Sequence, residues 1–109
     1  MRKIEEQMVA SIKARKNFKS GNTEVTMTRN EYLGTCTAMV YLHANLIAKI
    51  SFRPDNVVAR FTMAGWNTNT TRSRLNALGV GVSCSNLVPY HNGKAISSTG
   101  WYTFNYDDK

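Results

Sequence analysis

Residues 36–63 read CTAMVYLHANLIAKISFRPDNVVARFTM. Three runs of period two are separated by two turn signals. In the first run Cys36, Ala38, Val40 and Leu42 share one face, and Met39, Tyr41 and His43 share the other. His43-Ala44-Asn45 then breaks the alternation. The second run sends Leu46, Ala48, Ile50 and Phe52 inward and Ile47, Lys49, Ser51 and Arg53 outward. Pro54-Asp55-Asn56 marks the next turn. The third run sends Val57, Ala59, Phe61 and Met63 inward, with Val58, Arg60 and Thr62 outward. Strands joined by turns this short pair in an antiparallel meander.

On the N-terminal side, TEVTMT repeats the pattern with Val25 and Met27 on one face. Residues 3–17 carry Ile4, Met8 and Ile12 at four-residue spacing, which predicts a helix with one apolar stripe. Glu5 and Glu6 at its start and Lys13, Arg15 and Lys16 at its end suit the macrodipole. Ser20-Gly21-Asn22 stops it. On the C-terminal side a short second helix is expected, capped by Thr70 or Thr71, with Leu75 and Leu78 on its apolar side and Gly79 at its end. A final hairpin is expected from Val82–Tyr90 and Ala95–Phe104 around Asn92-Gly93. The expectation is an α+β fold in a single domain, 1–109. It has an antiparallel β-sheet of about six strands with an N-terminal helix and a second short helix packed on it.

The 109 residues include 14 Lys and Arg against seven Asp and Glu, a net charge of +7. The excess lies at Arg2, Lys3, Lys13, Arg15, Lys16 and Lys19, and again at Lys49, Arg53, Arg60, Arg72 and Arg74. Such clusters attract anions: nucleotides, nucleic acid or acidic surfaces. No window has the length of a membrane span. Cys36 and Cys84 form no C-x-x-C motif and read as two buried reduced thiols. No His, Cys or carboxylate has metal-ligand spacing with another, and no cofactor motif occurs. Neither Glu5-Glu6 nor Asp107-Asp108 has the setting of an acid/base couple, so the expectation is a binder rather than an enzyme.

The segment with the most chemistry is 65–78, GWNTNTTRSRLNAL. Arg72 and Arg74 are expected in the first turn of the second helix, against the dipole. A helix start offers unpaired N–H groups to a phosphate, and two guanidinium forks add to them. Trp66 offers a stacking face, and Asn67, Asn69, Thr70, Thr71 and Ser73 offer partners for sugar hydroxyls. With Arg60 from the outward-facing strand positions, these form the expected ligand-binding set. The competing readings are that the arginines pair with distant carboxylates and that Trp66 belongs to the core. Lys49, Ser51 and Arg53, with Arg60 and Thr62, are expected to converge on one sheet face.

MRKIEEQM, VYLHANLIAKI and GWNTNTTRSRLNAL together resemble a family of short phage proteins, the Thoeris anti-defence sponges. The resemblance implies a host-cytoplasmic homo-oligomer, a dimer or higher. It would sequester cyclic ADP-ribose isomers made by TIR-domain immune enzymes without cleaving them. It also implies that some members hold cyclic oligonucleotides at a separate site. No ligand contact is carried over from the family. The alternatives are a small basic DNA- or RNA-binding protein and a module that blocks a host enzyme.

Overall fold

Alternation of apolar and polar residues builds the central strands, and a bulge corrects one of them. The computed structural model describes residues 2–108, as two helices and nine strands. In chain order these are α1 (Lys3–Lys13), β1 (Phe18–Ser20), β2 (Thr23–Asn30), β3 (Thr35–Leu42), β4 (Asn45–Phe52) and β5 (Val57–Phe61). Then follow α2 (Asn69–Ala77), β6 (Val82–Ser85), β7 (Val88–His91), β8 (Lys94–Ala95) and β9 (Tyr102–Phe104). Six strands form one sheet in the order β1-β2-β3-β4-β5-β9, with every pair antiparallel. Strands β6-β7-β8 form a second, small sheet.

Of the residues the alternation turns inward in β2–β5, Val25, Ala38, Val40, Ala48, Ile50, Phe52, Ala59 and Phe61 are buried, whereas Leu46 is only half-buried and Val57 is exposed. Met8 and Ile12 of α1 and Leu75 of α2 join the same core. Both helices therefore cover one face of the large sheet, and the other face has no helix over it. Among the described residues no helix is long and apolar enough to cross a membrane.

Four expectations are corrected. First, α1 ends at Lys13, not at residue 17. Arg15 takes φ 56° and the chain turns into β1, which pairs with β2 across Ser20-Gly21-Asn22. Second, Ile47 faces inward. The register shifts between Val40 and Tyr41, so Ile47 is the extra residue of a bulge and is 1% exposed. Thr62 is likewise buried. Third, the C-terminal hairpin divides. Asn92 and Gly93 do form a tight turn, with φ 54° and 76°, but it joins β7 to the two-residue β8. Residues 82–91 are already a hairpin, and β9 leaves them to pair with β5. Fourth, Cys84 is exposed and Cys36 half-buried; both are free thiols.

Candidate functional site

A concavity of about 470 Å³ opens between the β3–β4 turn and the start of α2. Its floor is apolar: Leu42, Ile47 and Met63, all buried. The bulge in β4 is what turns Ile47 into this floor. His43 and Asn45 stand on one side, and Thr68, Thr70 and Thr71 on the other. Trp66 completes the lining and is 58% exposed, so it is not a core residue. No residue of the lining is a carboxylate.

Local backbone geometry sets these walls. Ala64 and Gly65 both have positive φ, 52° and 83°, and turn the chain sharply after β5. The Trp66 N–H donates to Met63 O at 2.8 Å and the Gly65 N–H to Ser98 O at 2.8 Å. Thr68, not Thr70 or Thr71, caps α2: its hydroxyl accepts from the Thr71 N–H at 3.2 Å. The opposite wall is a turn with His43 at φ 50° and Ala44 at φ 65°. Such values cost energy for non-glycine residues and persist where surrounding structure holds them. A second, shallower concavity of about 380 Å³ lies on the other side of His43, with Lys19, Asn22 and Glu24 in its lining.

The expected binding set is dispersed. Trp66, Thr70 and Thr71 line the cavity. Arg72 instead donates to the side-chain oxygens of Asn67 and Asn69. Asn67 also donates to Leu87 O at 3.2 Å, so this group ties α2 to the β6–β7 hairpin. Arg60 lies on the uncovered sheet face, paired with Lys49. Ser73 and Arg74 are engaged by Glu5, at 2.5 and 2.8 Å, on its Oε2. Arg74 is 4% exposed and is not among the residues that line the cavity. It also donates to Thr23 Oγ1 at 2.9 Å and Asn22 Oδ1 at 3.4 Å. Because α2 begins at Asn69, Arg74 sits in its last turn, where a cation suits the dipole.

Glu5 is 3% exposed and its other oxygen accepts from the Arg2 N–H at 3.2 Å. Burial pushes its carboxyl pKa up, but donors from Ser73, Arg74 and Arg2, with the Arg74 charge, outweigh this and hold it below its ordinary value. The network continues to the cavity rim. Asn22 Oδ1 accepts from Arg74 and from the Thr23 hydroxyl, which turns its amide nitrogen to His43 Nε2 at 3.4 Å.

Sequence reasoning missed Leu42, His43, Asn45, Ile47, Met63 and Thr68. The HAN turn was visible, but its approach to residues 66–71 is a tertiary fact. Among the described residues no group of three His, Cys, Asp or Glu could hold a metal ion. A family model described as Kyanoviridae Gp96 protein matches residues 1–108. No curated protein and no solved structure matches the chain.

Proposed function

Since the chain belongs to the Kyanoviridae Gp96 protein family and is a phage protein, we propose that it is an anti-defence protein that sequesters a nucleotide-derived immune signal without chemical change. The single observation that carries this reading is the cavity beside Trp66. Its volume lies within the range of roughly 300–1,000 Å³ usual for small-molecule sites. An indole left 58% exposed at the rim of an apolar floor offers a stacking surface for a base. Thr68, Thr70, Asn45 and His43 offer hydroxyl, amide and imidazole partners suited to ribose. The first turn of α2 supplies the positive field that a pyrophosphate needs. The proposed ligand is a cyclic ADP-ribose isomer. The motif resemblance to Thoeris sponges supports that choice. The engagement of Arg74 by Glu5 removes one of the two guanidinium groups first expected to hold phosphate.

Sequestration requires a ligand held and returned intact. Calorimetry with a cyclic ADP-ribose isomer is expected to give saturable binding. Mass spectrometry after heat denaturation is expected to recover the same molecule. Absence of heat, or recovery of a cleaved product, would remove the proposal. Trp66→Ala is expected to weaken binding by about tenfold or more, as loss of a base-stacking ring does, with an unchanged melting temperature. A homo-oligomer belongs to the same proposal, and light scattering after size exclusion tests it.

A further inference from the structure

The uncovered face of the large sheet is a second surface, independent of the cavity. Register places Thr26, Met39, Lys49, Arg60 and Thr103 side by side across β2, β3, β4, β5 and β9. Lys49 and Arg60 are directly opposite each other, both exposed. Like charges at such a position repel. Among the described residues neither has a carboxylate partner. Alternation adds Lys19 at the β1 edge and Arg53 just past the end of β4; Glu24 is the one carboxylate among the strand residues of this face. Trp101, 41% exposed, lies beside them, with the Lys49 ammonium 5.5 Å from its ring centroid. The adjacent rows hold Thr28, Thr37, Ser51 and Tyr41.

We propose that this face binds single-stranded nucleic acid, with phosphates at Lys49 and Arg60 and a base stacked on Trp101. Charge complementarity selects the occupant. A second copy of the chain meeting this face with its own would set Lys49 and Arg60 against the same cations. A polyanion neutralises them and relieves their mutual repulsion. An open sheet face with an exposed ring and several hydroxyl-bearing side chains suits unstacked bases, because every base has a π-face. A closed duplex offers no such face to Trp101.

The test is fluorescence anisotropy with a labelled oligothymidylate and an RNA of the same length, against a duplex of that length. Binding to the single strands at about 50 mM salt, falling steeply as salt rises, is expected. Lys49→Ala with Arg60→Ala should reduce the salt slope by about 1.4, the share of two lost phosphate contacts on a single strand. Trp101→Ala should weaken binding by about tenfold at fixed salt. Trp66→Ala should leave oligonucleotide binding unchanged, which separates this surface from the cavity. Lys49→Glu, at an exposed position opposite Arg60, should abolish binding without lowering the melting temperature. The proposal is overturned by no binding at low salt, by equal or tighter binding to the duplex, or by binding indifferent to the Lys49, Arg60 and Trp101 substitutions. Binding to anionic vesicles but not to oligonucleotides overturns it as well.

Discussion

Arg74 donates to Glu5, Thr23 and Asn22 at once, and Glu5 and Arg74 are both nearly sealed from water. Removing its guanidinium leaves a carboxylate buried without its partner. Arg74→Ala is therefore expected to cost about 3–5 kcal/mol of stability, the usual effect of breaking a buried pair. Arg72→Ala breaks partly exposed contacts to two asparagines and is expected to cost about 1 kcal/mol; urea unfolding of both variants measures the contrast. Glu5 also predicts the acid limb of stability. Its folded pKa lies below the ordinary 4.5. Its contribution is thus present above that value and is lost as pH falls through the lower, folded one. Melting temperature followed from pH 7 to pH 3 should drop across this window. In Glu5→Gln that part of the drop should be missing, from a lower starting value. The sequence showed Glu5 as a good first-turn residue and left Arg74 between a phosphate-binding cation and the partner of a distant carboxylate, without naming which one. Their pairing spans 69 positions, and no local pattern encodes it.

At the scale of elements, alternation in residues 36–61 was enough to place β3, β4 and β5, because burying one face of a sheet forces period two. The same rule failed at Ile47, where one extra residue in β4 breaks the alternation and supplies the cavity floor. Nothing in an apolar run marks which residue will be the extra one. The start of α2 was misplaced for a related reason: residues 67–73 hold several good capping side chains, and only the packed chain selects Thr68. Its hydroxyl meets both the N–H and the hydroxyl of Thr71. Thr68→Ala is expected to lower stability by about 1 kcal/mol, measurable as a shift in thermal midpoint. As the cap also shapes a cavity wall, Thr68→Ser should restore both stability and ligand affinity. The Asn-Gly turn was legible, but its strands were not, since β8 is too short to carry a periodic signal.

Over the whole molecule, two helices on one side of a six-stranded sheet leave a cavity at one end of the covered layer and a cationic face on the other side. The α+β class was readable from the order of elements. The separate small sheet was not, because β6–β8 are brief and the chain returns to the main sheet only at β9. Phe104 of β9 is buried against Phe61, with ring centroids 5.9 Å apart. Arg15, near the end of α1, lies over the Phe52 ring and pairs with Asp108 at 2.7 Å. Deleting residues 102–108 is expected to expose β5 and abolish cooperative unfolding, as followed by far-UV circular dichroism.

The order of strands in the large sheet also has a consequence during translation. From β1 to β5, each strand pairs with the one made just before it, so a nascent chain can add them one at a time as they leave the ribosome. The rim of β5 must wait until residues 62–101 have emerged and β9 arrives to seal it. During that interval the growing polypeptide is open to pairing with a neighbouring copy through the same rim.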